Sequence, residues 1–299
     1  PAMKDEGYDP DYSAALSSAA SLLGPMIPPS ITLIVYAGLT EASVQKLFLA
    51  TLTPAILCTV AFLAYTLWYG KKKNLPKQPK KTAKEAGKIM LDAIWALLLP
   101  VIVLGLIFSG ATTVTEAAAV SCLYSAVVSL FIYKTITFKD LLKILGDSAV
   151  SIAAIMILVG MSKATAYVVI SSQMPQLFMD FITSITDSRF VVLLIINVIF
   201  LILGCLMEGN CIIVMMVPLL LTLVKSFGID LLQFGVMSAI NIYIGCITPP
   251  VGVSLLLGCK LGKTSVGGTF KAILPFFAIS MVILILVTYW PSFTLWLIH

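Results

Sequence analysis

The sequence GPMIPP at residues 24–29 recurs as GCITPP at residues 245–250, and each copy lies inside an apolar run long enough to form a membrane helix. Both copies read G-x-x-x-P-P. A proline inside a helix has no N–H to donate, and its ring clashes with the carbonyl four residues earlier. The pattern therefore predicts two membrane helices that are broken at matching places.

The composition is that of a multispanning membrane protein. Of the 299 residues 60% are hydrophobic and only 11% are charged, which excludes an ordinary soluble domain. The net charge of +5 is concentrated in lysine-rich segments and does not indicate a nucleic-acid partner. The cysteines form no C-x-x-C pair, and the one histidine is the terminal His299. The sequence therefore predicts neither an enzyme nor a cysteine–histidine metal site.

A series of apolar runs predicts the membrane segments, and a basic segment orients them. The segment 71–88, from Lys71 to Lys88, is predicted to be cytoplasmic by the positive-inside rule, either as a loop or as an interfacial helix. The first broken helix then runs outward and the second inward. The predicted apolar segments are 13–37, 47–69, 91–109, 116–133, 149–170, 190–207, 211–224, 234–258 and 270–297.

The two arms at 190–207 and 211–224 are joined by a polar turn. The second arm has too few residues for the roughly 20 that a full span needs. Arm length and polar tip therefore favour a re-entrant hairpin over two crossings, although lysine placement fits both.

The two broken helices belong to a predicted inverted repeat. At a fixed offset of about 221 residues, Gly7-Tyr8-Asp9 matches Gly228-Ile229-Asp230, and the proline pairs coincide. Sparse identity with opposite orientation is typical of secondary transporters, which bind substrate and ions near the membrane midplane on unwound helices. The hairpin's counterpart would precede residue 1, so we expect a further N-terminal part that carries a second hairpin.

The breaks supply chemistry for a cation and an anion. The prolines are predicted to free the carbonyls of Gly24 and Pro25, and those of Gly245 and Cys246, as hard oxygen ligands. The helix restarting at Ile31 or Val251 would offer N–H groups to an anion. The alternative is a proline kink without function. Nearby side-chain oxygens belong to Ser21, Ser30, Asn241, Thr248 and Ser254.

Three ionisable side chains lie at membrane depth. Glu208 is predicted either to act in the site or merely to reach water at the hairpin tip. Glu116 follows a break at 110–115 and either begins a helix capped by Thr115 or belongs to a site. Lys163 either extends to the membrane surface or pairs with an anionic substrate.

At these residues the sequence resembles the large membrane subunit of tripartite ATP-independent periplasmic (TRAP) transporters. The resemblance implies an elevator-type carrier for an organic anion, such as sialic acid or a C4-dicarboxylate, driven by a Na⁺ gradient. It also implies a periplasmic substrate-binding protein and a smaller membrane subunit as partners. The matching stretches are GPMIPPSITLIVYAGLT, SVQKLFLA, TVTEAAAV, VPLLLTLVKSFGIDLLQFGV and NIYIGCITPPVGVSLLLG.

The resemblance also implies where substrate and ion bind, although the hairpin tip MEGN departs from the aspartate and hydroxyl residues expected in many relatives. Substrate-binding candidates are Pro28, Pro29, Ser30, Glu208, Asn210, Pro249 and Pro250. Candidate Na⁺ ligands are Ser21, Gly24, Pro25, Cys205, Gly209, Asn241, Gly245, Cys246 and Thr248.

The predicted fold is an all-α polytopic membrane protein, an inverted-repeat elevator-type transporter with a re-entrant hairpin and broken helices. Residues 1–44 and 190–258 would form the transport domain, 45–95 a scaffold span with the basic segment, 96–189 further spans, and 259–299 the last span. The alternatives are a divalent anion/sodium symporter that needs no binding protein, and a channel.

Overall fold

The structure, a computed structural model, describes residues 2–75 and 82–298, and every regular element in them is a helix. The predicted cytoplasmic segment falls partly outside this description, at 76–81. The chain forms two compact units, one from Pro1–Pro76 and Val159–His299 and the other from Lys77–Leu158. The predicted all-α polytopic class is confirmed.

The helices are numbered in chain order. They are α1 (Ala2–Asp5), α2 (Pro10–Ala20), α3 (Leu23–Met26), α4 (Ile31–Thr40), α5 (Val44–Lys72), α6 (Ala83–Phe108), α7 (Val114–Val127, continued by a π-helical turn Val128–Ile132), α8 (Phe138–Ser171), α9 (Met174–Ile185), α10 (Arg189–Leu206), α11 (Gly209–Ser226), α12 (Leu231–Gly245), α13 (Val253–Gly262), α14 (Val266–Tyr289) and α15 (Pro291–Leu295).

Six helices in the described residues are long and apolar enough to cross a membrane, and the bent pair Pro10–Met26 and Ile31–Thr40 could be a seventh. The six candidate spans are Val44–Lys72, Gly87–Phe108, Val114–Ile132, Arg189–Leu206, Gly209–Ser226 and Val266–Tyr289. The predicted span at 149–170 lies within α8, where the side chain of Lys163 is outside the described part.

Both predicted breaks are present. The first bends the chain by 40°, with residues from Ile27 to Ser30 between α3 and α4. The second separates α12 from α13 by seven residues, 246–252. The Pro28–Pro29 and Pro249–Pro250 peptide bonds are both cis.

The halves of the two broken helices pack crosswise. Helix α2 contacts α13, and the Ser18 hydroxyl donates to the carbonyl of Ser254 at 3.1 Å. Helix α4 contacts α12, and the Tyr36 hydroxyl donates to the carbonyl of Leu231 at 2.6 Å. An offset of 221 residues relates α2 to α12 and α4 to α13, so these two pairings are equivalent. This arrangement agrees with the predicted inverted repeat.

The two hairpin arms, α10 and α11, each contain 18 residues. The prediction of a shorter second arm is wrong, because α11 starts directly after Glu208, which caps it, and continues past Val224 to Ser226. Arm length therefore no longer distinguishes a hairpin from two crossings, and the polar tip remains the feature that favours the hairpin.

The smaller unit contains α6 and α7, which pack together through two tyrosines. The Tyr124 hydroxyl donates to the carbonyl of Trp95, and the Tyr133 hydroxyl to that of Asp92, both at 2.7 Å.

The prediction that Thr115 caps α7 is wrong. Thr113 caps the helix in a capping box with Glu116, because a threonine three residues before the glutamate has the spacing that this motif requires.

Candidate functional site

The first break and the hairpin tip line an open cavity of about 430 Å³ in the larger unit. Helices α4 and α11 both begin at this cavity, and its lining includes Thr32, Tyr243 and Ser254. Many of the predicted site residues also line it: Ser21, Gly24, Pro25, Pro29, Ser30, Glu208, Gly209, Asn210 and Cys246. The other predicted site residues lie outside its recorded lining: Pro28, Cys205, Asn241, Gly245, Thr248, Pro249 and Pro250.

The N-terminus of α4 opens into the cavity without a side-chain cap. Ser30 is at the N-cap position, but its hydroxyl lies 3.0 Å from the Tyr243 hydroxyl. Among the described residues, no acceptor is recorded for the N–H groups of Ile31 and Thr32. The first N–H groups of a helix have no partner within the helix and carry its positive dipole end. This terminus can therefore accept an anionic ligand.

The N-terminus of α11 is capped by the chain's own carboxylate. Glu208 Oε2 accepts hydrogen bonds from the N–H groups of Asn210 and Cys211 at 2.9 and 3.2 Å. Glu208 Oε1 accepts from Asn210 Nδ2 at 2.9 Å. Glu208 is exposed and borders the cavity, so the glutamate at the predicted tip is both an N-cap and a charge facing the site.

A side-chain hydrogen bond links the two helix starts. Thr32 Oγ1 donates to Asn210 Oδ1 at 3.1 Å, so Glu208, Asn210 and Thr32 form one chain of contacts from α11 to α4. Neither Thr32 nor Tyr243 was predicted from the sequence. In the sequence, only the position of Thr32, three residues after Pro29, could have pointed to it as a site residue. No neighbouring motif points to Tyr243.

The carbonyls at the two breaks differ, and the prediction of free carbonyls is wrong at the second break. In the described structure Gly24 and Pro25 border the cavity, and no donor is recorded for their carbonyls. By contrast, the Gly245 carbonyl accepts the N–H of Thr248 at 2.9 Å. The Cys246 carbonyl accepts two N–H groups at the start of α13, at 3.0 and 3.3 Å.

The expectation that a helix restarting at Val251 offers free N–H groups is therefore also wrong. Helix α13 starts at Val253, and its Ser254 and Leu255 N–H groups are the ones that the Cys246 carbonyl accepts. The seven-residue connection folds back far enough for this carbonyl to cap the following helix.

Asn241 lies in the core beside α10 rather than in the cavity lining. It is fully buried, and its Nδ2 donates to the main-chain carbonyl and to Oδ1 of Asn197, both at 2.8 Å. Asn197 Nδ2 donates in turn to Thr288 Oγ1 at 3.0 Å. Asn241 Oδ1 has no recorded partner among the described residues. The observed contacts of Asn241 thus join α12 to the first hairpin arm.

Helices α10 and α12 approach closely at two glycines. A Cβ atom on Gly245 would collide with the main chain of Gly204. One residue further on, the Cys205 carbonyl accepts the Gly252 N–H at 3.2 Å. The hairpin arm and the second break are therefore held together through main-chain contacts.

Glu208 is the one charged side chain among the described residues that line the cavity. Among the described residues, no group of three or more histidine, cysteine, aspartate or glutamate side chains is placed to hold a metal ion. A cation in this cavity would therefore rest mainly on carbonyl and hydroxyl oxygens, which suit hard ions.

Comparison with known proteins relates the chain to one family. The family model described as "Tripartite ATP-independent periplasmic transporter, DctM component" matches residues 1–293. The chain is 34% identical to the sialic acid TRAP transporter large permease protein SiaM of Vibrio cholerae and 37% identical to the C4-dicarboxylate TRAP transporter large permease protein DctM of Pseudomonas aeruginosa. Each alignment covers 98% of this chain and 69% of the relative.

A third relative is longer. The sialic acid TRAP transporter permease protein SiaT of Haemophilus influenzae is 32% identical over 97% of this chain and 47% of its own length. The chain thus spans about half to two thirds of the length of these relatives.

Proposed function

Because this chain belongs to the DctM-component family of tripartite ATP-independent periplasmic transporters, which makes it a multi-pass inner-membrane permease, we propose that it transports an organic carboxylate. A Na⁺ gradient would drive this transport. The named relatives include transporters of sialic acid and of C4-dicarboxylates. Both substrates are carboxylates, and we extend only that shared chemistry to this chain.

The observation that carries the proposal is the uncapped N-terminus of α4 at the cavity. A carboxylate there would accept hydrogen bonds from the N–H groups of Ile31 and Thr32, and the helix dipole would stabilise its charge. Ser30 and Pro29 would border the bound group. Pro28, Pro249 and Pro250 would act only by shaping the two breaks.

We place the coupling Na⁺ next to this carboxylate. Gly24 and Pro25 line the cavity, and no donor is recorded for their carbonyls among the described residues. The Ser21 hydroxyl, which donates to the Ser18 carbonyl at 2.7 Å, keeps its lone pairs for a ligand. A second candidate ion site lies at the other break, where each carbonyl that accepts one hydrogen bond retains a lone pair. Its candidate ligands are the Cys205 and Gly245 carbonyls, each of which accepts one recorded N–H group, and the Thr248 hydroxyl.

The proposed cycle is an elevator movement with two partners. A periplasmic substrate-binding protein would deliver the carboxylate, and a small membrane subunit would support the stationary part. Residues 1–44 and 190–258 would move with the substrate, while the span in 45–95 would belong to the scaffold. Residues 96–189 and 259–299 would supply the remaining spans.

Uptake into proteoliposomes tests this proposal. The full-length permease, its small subunit and its binding protein should accumulate a labelled carboxylate only when a Na⁺ gradient is directed inward. Uptake should saturate with substrate, which separates a carrier from a channel. Equal uptake with K⁺ replacing Na⁺ would contradict the coupling. Full uptake without the binding protein would instead favour a symporter of the divalent anion/sodium type.

A further inference from the structure

We propose that the cavity accepts one carboxylate only, because Glu208 fills the place that the second carboxylate of a dicarboxylate would need. The substrate class is then a monocarboxylate whose other end carries hydroxyl or similar donor groups, as in a sugar acid. This inference rests on the proposed function and specifies the substrate of the same site.

The argument compares the three helices whose first residues lie at or beside the cavity. At the start of α13 two N–H groups donate to the Cys246 carbonyl. At the start of α11 two N–H groups donate to the Glu208 carboxylate. At the start of α4, by contrast, the described structure records no acceptor for the N–H groups of Ile31 and Thr32, and no side chain caps them. In the described part of the cavity, α4 is therefore the helix start with the most free donors for an external carboxylate.

Charge leads to the same conclusion. Asn210, which Glu208 holds, accepts the Thr32 hydroxyl, so the Glu208 carboxylate is two hydrogen-bonded side-chain contacts away from the start of α4. No basic side chain is recorded in the described lining to offset a second external negative charge, and the proposed Na⁺ lies beside the carboxylate at α4. Two like charges at neighbouring positions repel each other, which weakens the binding of a second carboxylate. A bound dicarboxylate would place its far carboxylate against Glu208.

The rest of the cavity suits hydroxyl groups. Glu208 supplies acceptor oxygens, while Ser254, Ser21 and Tyr243 contribute hydroxyls to the lining. The volume of about 430 Å³ is within the range of small-molecule sites. A ligand could place its one carboxylate at the N–H groups of α4 and donate its hydroxyl groups to Glu208. Each negative charge would then face hydrogen-bond donors rather than another carboxylate.

Cys246, which borders the cavity, reports the charge around it. The test uses the full-length permease with its small subunit and Cys246 as the single cysteine, with Cys58, Cys122, Cys205, Cys211 and Cys259 changed to serine. Cationic and anionic methanethiosulfonate reagents of similar size are compared, each relative to a free thiol. The cationic reagent should react about tenfold faster, and Glu208→Gln should remove most of that preference. An unchanged preference in Glu208→Gln would overturn the proposal.

Asp230→Asn is the matched control. Asp230 caps α12 by accepting the N–H groups of Leu232 and Gln233 at 2.8 and 3.1 Å, and it is absent from the recorded cavity lining. This variant loses the same charge from the same kind of helix cap. It should leave the preference for the cationic reagent unchanged. If it lowers the preference as much as Glu208→Gln does, the charge of Glu208 has no special role.

The substrate class is tested by protection of Cys246 in Na⁺ buffer. Each of two pairs of ligands differs only in whether the far end is a hydroxymethyl group or a carboxylate: gluconate with glucarate, and 4-hydroxybutyrate with succinate. The monocarboxylates should slow labelling of the parent protein, and Glu208→Gln should allow the dicarboxylates to protect at least tenfold better than before. Equal protection of the parent protein by both members would overturn the inference while leaving a carboxylate site intact. Protection by no carboxylate would instead contradict the proposed function.

Discussion

Changing Ser30 to aspartate is expected to reduce Na⁺-driven carboxylate uptake by at least about 100-fold without unfolding the permease. Aspartate is among the best N-cap residues, and its carboxylate would accept the N–H groups that start α4. It would then occupy the uncapped N-terminus of α4, as Glu208 does at α11. Uptake in proteoliposomes and the thermal midpoint of the purified protein measure the two effects.

Ser30→Asn is the matched control for this change. Asparagine has nearly the same size as aspartate, and it also loses the contact between the Ser30 and Tyr243 hydroxyls. Its neutral amide should compete with a carboxylate much less than a charged group does. We therefore expect clearly more uptake from Ser30→Asn than from Ser30→Asp. Wild-type uptake by the aspartate variant would refute the placement of the substrate carboxylate at α4.

Changing Gly245 to alanine is expected to destabilise the protein by about 1–3 kcal/mol or more. The new Cβ atom would overlap the main chain of Gly204 and lie 2.9 Å from the Cys205 nitrogen. No side-chain rotation can relieve a collision with main-chain atoms, so α10 and α12 would have to separate. The loss should appear as a lower thermal midpoint and as less folded protein in the membrane.

Gly38→Ala provides the comparison. Gly38 lies within α4, and a Cβ atom there would meet nothing within 4 Å. Alanine is the better helix former by roughly 1 kcal/mol, so this change should be neutral or stabilising. Equal losses in the two variants would show that the crossing of α10 with α12 does not require a glycine at 245.

The fold was predictable because its main signals are local. Hydropathy locates the spans, and the lack of a proline N–H breaks a helix wherever the pair Pro28-Pro29 or Pro249-Pro250 occurs. The repeat then relates the two breaks to each other. The ends of the helices were less predictable, because capping at Glu208 and Thr113 depends on which nearby side chain actually reaches the free N–H groups.

The site was predictable only where its main-chain groups make no contacts with a later part of the chain. At the first break no donor to the Gly24 and Pro25 carbonyls is recorded in the described part of the chain, and residues 28 and 29, four positions later, are prolines without an N–H. At the second break, a connection of seven residues brings α13 back to the Cys246 carbonyl. Likewise, Asn241 became a core contact because Asn197, 44 residues earlier, lies opposite it. Such pairings depend on tertiary packing, which one sequence does not reveal.

The crosswise packing of the broken helices has a consequence for biosynthesis. Helix α2 ends at Ala20, whereas its partner α13 begins at Val253. At typical synthesis rates the ribosome needs roughly 10–50 s to make the residues between them. During that time the nascent α2 has to remain in the membrane or at the translocon without its partner. The packing of α2 in the first broken helix thus requires α13 of the second. We therefore expect that neither half of the repeat folds fully when it is made alone.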